Sequence, residues 1–169
     1  MSGVDGTHTA VDFDFGVDGV ISSTQEAYRS GEFEREVRKK EKESLSAFQD
    51  TVSTIVDVRL KQDERFPSEG EIFVFIVQYF AAEMEYRKRD VDNMAKTILD
   101  VLKGRFYRDD SQVRTLLVGK KMVDHRVSQN FAYVAIKRLG GAEDVDALKI
   151  SGLERAVTMF QELRSRKIF

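Results

Sequence analysis

Apolar residues recur along this chain with two periods, and each change of period marks an element. Val11, Phe13, Phe15 and Val17 alternate with Asp12, Asp14, Gly16 and Asp18. Period two predicts a strand with one acidic, exposed face. Residues 19–30 lack any such pattern and read as a loop. From about 32 to 61 the period lengthens: Leu45, Phe48, Val52, Ile55 and Val56 stand three and four apart, which predicts a helix. Residues 36–43 are nearly all charged and read as a solvated face with opposite-sign neighbours. Phe66-Pro67-Ser68-Glu69-Gly70 breaks that helix. The run EIFVFIVQYFAA at 71–82 is rich in β-branched and aromatic residues and predicts a buried strand. A helix over 91–103 is stopped by Gly104. Two β-like runs follow, at 112–121 and 130–139, and the loop 122–129 between them predicts a hairpin. Gly140-Gly141 and an acidic stretch read as a linker. Leu153, Val157, Phe160 and Leu163 mark a closing amphipathic helix. The order strand, helix, strand, helix, strand, strand, helix predicts one α/β or α+β domain with a mixed sheet packed with helices. Its body is 1–139; residues 140–169 are a linker and a C-terminal helix packed on the same domain.

Composition narrows the class. At 169 residues, 41% hydrophobic and 33% charged, the chain suits one domain with a sizeable core. There is no cysteine, which excludes disulfides and thiolate metal sites. The N-terminus is acidic, without the basic-then-apolar order of a signal peptide. The longest apolar run is about half of what a membrane span requires. A soluble, cytoplasmic protein is expected.

The net charge of −2 hides an uneven distribution. Residues 1–30 carry −4, residues 31–86 carry −5, residues 87–138 carry +7 and residues 139–169 carry zero. A basic centre flanked by acidic sequence is a field that a phosphate backbone would seek. Yet this basic stretch also holds five aspartates between Arg89 and Val113. At 100° per residue, Asp92, Lys96 and Asp100 form one stripe, while Met94, Ala95, Ile98, Val101 and Leu102 gather opposite. Asp92 falls at the expected N-cap, Asp90 two residues earlier, and Asp109-Asp110 follow the helix after a short connection. If that connection returns the chain beside the preceding strand, Asp90, Asp92 and one of Asp109/Asp110 converge. Such convergence needs a counterion, because two unit charges 4 Å apart repel by roughly 4 kcal/mol at an effective dielectric of 20. A hard divalent cation such as Mg²⁺ takes carboxylate oxygens and water, and can polarise a phosphate and activate water. Lys96 could then stabilise developing negative charge.

Each feature has a plainer structural alternative: Asp92 as a helix cap, Lys96 in i,i+4 ion pairs with Asp92 and Asp100, Asp109-Asp110-Ser111 as a turn. A calcium loop of the EF-hand type is excluded, because the sixth position from Asp90 is Ala95 rather than glycine. His8 and His125 are isolated and read as surface residues.

The stretch RDVDNMAKTILDVLKG…DDSQV resembles the signature of RusA-type Holliday junction resolvases. The shared features are an Asp-x-Asp-Asn, a Lys four residues after the second Asp, a helix ending near Gly, and an Asp-Asp pair before a strand. The resemblance covers Arg89 to about Lys121, with a looser likeness of element order from the first strand to Leu139. It implies a homodimeric endodeoxyribonuclease that cuts paired strands of four-way DNA junctions with Mg²⁺, Mn²⁺ being the alternative ion. It implies that Asp90, Asp92 and Asp110 are acidic site residues holding metal, that Asp109 supports them, and that Lys96 is the catalytic lysine. Arg87, Lys88, Arg89, Arg105, Arg108, Lys120, Lys121 and Arg126 are the candidates for DNA contact. The sequence departs from the family where a proline-rich turn with an asparagine is usual: GVDGVISSTQEAYRS holds neither. The segment 142–169 is an addition to the usual shorter chain. Two rival readings are a Mg²⁺ nuclease for other branched or duplex DNA, and a non-catalytic junction-binding protein.

Overall fold

Short alternating segments and longer amphipathic ones sort into a single α+β layer pair in the computed structural model of the protein. The structure describes residues 11–22, 34–123, 128–140 and 162, with the side chains of the long helix described from residue 43. The elements are strand β1 (Phe13–Asp18), helix α1 (Glu34–Leu60), strand β2 (Ile72–Phe80), helices α2 (Glu83–Lys88) and α3 (Val91–Leu102), and strands β3 (Val113–Met122) and β4 (Phe131–Arg138). A 3₁₀ turn, Asp110–Gln112, leads into β3.

The four strands form one mixed sheet in the order β1-β4-β2-β3. β4 pairs antiparallel with both β1 and β2, while β2 and β3 run parallel. The hairpin expected between β3 and β4 is therefore absent: β2 lies between them. The reason is burial. The largely apolar β2 needs neighbours on both edges, and β4, with Ala132, Val134, Ala135 and Ile136 buried, suits the sheet centre better than β3, none of whose residues is fully buried. α2 and α3 form the crossover between parallel β2 and β3, as parallel strands require.

Helices α1 and α3 cover one face of the sheet. From α1 come Phe48, Val52 and Val56, four apart; from α3 come Met94, Ile98, Val101 and Leu102. They pack against Phe13, Phe15 and Val17 of β1, Ile72, Val74, Ile76 and Phe80 of β2, and Ala132, Val134 and Ile136 of β4. Phe13, Phe66 and Phe106 meet edge-on in one corner, with centroids 4.9 to 6.1 Å apart.

Polar side chains also lie inside this apolar layer, and one of them sits at the sheet centre. Gln78 of β2 is fully buried. Its Oε1 accepts from the Ile21 amide at 2.8 Å, and its Nε2 donates to the carbonyls of Gly19 and Phe131 at 3.0 Å. It therefore ties the chain leaving β1 to the sheet centre. Gly19 reaches this position at φ +93, a conformation that favours glycine. Ser22 is fastened in turn by the Thr97 hydroxyl of α3, which donates to its carbonyl at 2.6 Å.

Candidate active site

Chain leaving β2 passes through α2 and reaches the first turn of α3 at the carboxyl end of the parallel strands. Asp90, not Asp92, is the N-cap of α3; its backbone is extended at φ −95 and ψ 136, and its side chain makes no capping hydrogen bond. Asp92 sits inside the first turn. Both carboxylates stand at the positive end of the helix dipole. Asp92, Lys96 and Asp100 are exposed along one stripe, opposite buried Met94, Ile98 and Leu102, as the wheel predicts. The side chains of Asp90, Asp92 and Lys96 have no hydrogen-bond or ion-pair partner among the described residues. The capping and ion-pair alternatives for Asp92 and Lys96 are thus not realised, and three unneutralised charges stand within two helical turns.

Asp109 and Asp110 lie at the other end. α3 stops at Leu102, Gly104 turns the chain at φ +81, and its amide bonds the Tyr107 carbonyl at 2.7 Å. Asp109 caps the 3₁₀ turn by accepting from the Ser111 amide at 2.9 Å, and the Gln112 side chain accepts from the Asp109 amide in return. These bonds to Ser111 hold the Asp109 carboxyl below its ordinary pKa. Asp110 accepts from Lys103 Nζ at 2.8 Å. That hydrogen bond raises the Lys103 pKa, and burial, with the Asp110 charge next, raises that of the Tyr107 phenol. The expected convergence does not occur within one chain. Eleven helical residues from Asp92 to Lys103 span about 16 Å, and the connection after α3 turns back at the start of β3, beside Ile72, rather than at the end of β2. Among the described residues, no three His, Cys, Asp or Glu side chains are grouped so as to hold a metal ion. The donors themselves suit a hard cation: two exposed carboxylates at one helix end, where Mg²⁺ is usually held by one or two carboxylates completed by water and substrate phosphates.

The basic residues divide by what they touch. Lys88 and Lys121 are exposed, with no partner among the described residues. Arg87 pairs with Glu83 one turn away, and Arg108 with Glu69 at 2.7 Å; both pairs are open to solvent. Arg89, half-buried, directly precedes Asp90. Arg105 is held inward: it bonds Asp57 at 2.7 Å, Ser53 at 2.8 Å and the Val101 carbonyl at 3.0 Å, joining α1 to the end of α3. Lys120 is also engaged, with Nζ at 2.7 and 2.8 Å from the carbonyls of Tyr86 and Arg89. Arg126, His8, His125 and the segment 142–169, apart from residue 162, lie outside the described residues. Sequence reasoning missed α2, the Lys103–Asp110 pair and the inward roles of Arg105 and Lys120. For α2 a signal existed: EMEYRK places acids in the first turn and bases in the last, complementing the helix dipole.

The family model described as Endodeoxyribonuclease RusA matches residues 20–135, which takes in all of α1 to β3 and most of β4. The chain belongs to the RusA family. It is therefore an endodeoxyribonuclease, a hydrolase acting on Holliday junctions in DNA recombination. Comparison with curated proteins finds no match. RusA-type nucleases generally depend on divalent metal. The match includes the whole segment from Asp90 to Asp110. No helix among the described residues is long and apolar enough to cross a membrane.

Proposed function

We propose that this RusA-family nuclease resolves four-way junctions as a Mg²⁺-dependent homodimer that cuts two opposed strands symmetrically, with its reacting centre at the first turn of α3. The observation that carries this reading is the set Asp90, Asp92 and Lys96: exposed, without a partner among the described residues, and clustered where the helix dipole and the carboxyl ends of parallel strands meet. Asp90 and Asp92 would hold Mg²⁺, or Mn²⁺ in its place. When bound, the cation supplies polarisation of the scissile phosphate and activation of water. Lys96, one turn from Asp92, directs its ammonium to the same point and stabilises charge developing on the phosphate. Arg87, Lys88, Arg89 and Lys121 flank that turn and attract the phosphate backbone.

Asp110 joins this centre only from a second copy, because in its own chain it is held by Lys103 at the far end of α3. A two-fold dimer supplies that copy and matches the near two-fold symmetry of a junction, giving two sites for two cuts. Asp109, occupied as a cap, would orient Asp110. Arg108, beside Asp110, would then meet DNA near the partner's α3, while Arg105 holds α1 and α3 together and contributes to binding only indirectly.

The deciding experiment is cleavage of four-way, flap and linear DNA with Mg²⁺ and with chelator. Metal-dependent paired cuts in the junction support the reading. Equal cutting of flap or linear DNA would replace it with a broader nuclease. Tight junction binding without any cutting would make the protein a binding module.

A further inference from the structure

Lys120 stands apart from the other cations of the basic segment. It lies on β3, an edge strand of the sheet, in register with buried Gln78 and so on the helix-covered face. Its Nζ is 2.7 Å from the Tyr86 carbonyl and 2.8 Å from the Arg89 carbonyl, and lies 4.6 Å from the centroid of the Tyr86 ring. Tyr86 is itself fixed edge-on against Phe80, the last residue of β2, at 5.9 Å. Two of the three N–H donors of the ammonium are thereby taken, and a third side of it faces an aromatic ring.

The two carbonyls are not ordinary ones. Tyr86 lies in α2, whose final carbonyls have no helical partner. Arg89 is the C-cap residue of α2, and its carbonyl belongs to the peptide that enters Asp90. Holding that carbonyl fixes the peptide plane on one side of Asp90. On the other side, the Asp90 carbonyl accepts from the Met94 amide at 3.3 Å. The Asp90 backbone is thus clamped before and after the α-carbon, while its carboxylate has no hydrogen-bond partner among the described residues. A carboxylate held this way keeps its direction without giving up acceptor capacity.

We propose that Lys120 is a positioning residue for Asp90: an ammonium on β3 that sets the direction of the carboxylate by gripping the preceding peptide. This rests on the role given to Asp90 under Proposed function. Moving Lys120 out to a phosphate would leave two carbonyls without their donor, which argues against a direct DNA contact.

The test uses full-length Lys120→Met, Asp90→Asn and the double variant, with Lys121→Ala as the DNA-contact control. Two quantities are read: single-turnover junction cleavage across a Mg²⁺ titration, and Mn²⁺ retained by the protein–junction complex, counted from the electron paramagnetic resonance of free Mn²⁺. Groups that orient metal ligands typically change affinity or activity by about 10- to 100-fold. Lys120→Met is expected to raise the half-saturating metal concentration by that factor, with junction affinity in chelator and its salt slope unchanged. In the Asp90→Asn background Lys120→Met should add nothing to the loss of Mn²⁺, because both act through one carboxylate. Additive losses would overturn the proposal in favour of general destabilisation. A salt slope flattened by about one unit would overturn it in favour of a phosphate contact. If Asp90→Asn abolishes Mn²⁺ retention while Lys120→Met behaves as wild type, only the positioning role fails. If Asp90→Asn itself changes nothing, the reading of Asp90 fails and this one with it. Should Lys120→Met not fold, Lys120→Gln, which keeps one donor group near the carbonyls, carries the same comparisons.

Discussion

Asp92 and Lys96 are one helical turn apart, of opposite charge, and without a partner among the described residues. A surface designed only for solubility would let them pair; leaving both free keeps a carboxylate and an ammonium available to a third party. Asp92→Asn keeps the size of the side chain and removes its charge. It is expected to abolish junction cleavage while the far-ultraviolet circular dichroism and melting temperature stay those of the wild type; normal cutting would remove the metal role. Lys96→Met should lower the single-turnover rate roughly a hundredfold, as for loss of one transition-state charge contact, with junction affinity nearly unchanged; a defect confined to affinity would reassign it to binding. Asp109 behaves differently, because its carboxyl is held below the ordinary value of 3.8 by the hydroxyl and amide of Ser111. A depressed carboxyl stabilises the fold above that ordinary value, and the contribution is lost as pH falls through the lower folded value. Asp109→Ala should therefore melt earlier than wild type near neutrality, and the two melting curves should converge in strong acid. A gap that persists in acid would show that the cap acts without its charge.

At the scale of elements, Gln78 is where the strand pattern and the chemistry disagree. An amide inside EIFVFIVQYFAA breaks an apolar run, and periodicity assigns it no purpose. The structure does: Gln78 bonds two separate backbone segments, the chain leaving β1 at Gly19 and Ile21 and the start of β4 at Phe131. Gln78→Leu leaves those groups without a partner, so a loss of about 2 to 4 kcal/mol is expected from buried polar groups of this kind, read as a lower denaturant midpoint at unchanged slope. A midpoint equal to wild type would mean that water replaces the amide. The same contrast runs through the whole reading of the chain. Helices α1 and α3 and strand β1 were legible because each buries one face, and burial writes itself as period 3.6 or period two; β2, buried on both faces, was legible as an unbroken run of β-branched and aromatic residues. The stripe of Asp92 and Lys96 was legible for the same reason. Strand order was not, since nothing local in VRTLLVGKKM or FAYVAIKR says which lies beside IFVFIVQYF. The separation of Asp110 from Asp90 was equally hidden: it depends on which end of the sheet the chain reaches after Gly104, a property of topology. Lys120 and Arg105 look like any other exposed base until their partners, the Arg89 carbonyl and Asp57, are seen beside them.

For the whole molecule, the distance along α3 makes a prediction about pairs of chains. Asp92→Asn and Asp110→Asn should each be inactive alone. If each site takes Asp90 and Asp92 from one copy and Asp110 from the other, mixing the two variants gives dimers with one damaged and one intact site. Such mixtures should nick junctions on one strand without resolving them; mixtures as dead as their parents would place all three carboxylates in one chain. The sheet order carries a different consequence, for the way the protein is made. Among the described residues β1 has one sheet neighbour, β4, whose residues pair with it from Ile136↔Phe13 to Phe131↔Asp18. β1 must therefore wait, without that partner, until β4 has been synthesised. A ribosome that stalls after β3 releases a chain whose β2 has an open edge and whose Phe13, Phe15 and Val17 have no strand beside them. Contacts between residues so far apart in sequence also slow folding. Completion of this nuclease is thus all or nothing with respect to β4, and fragments ending before it are the forms most exposed to aggregation and proteolysis in the cell.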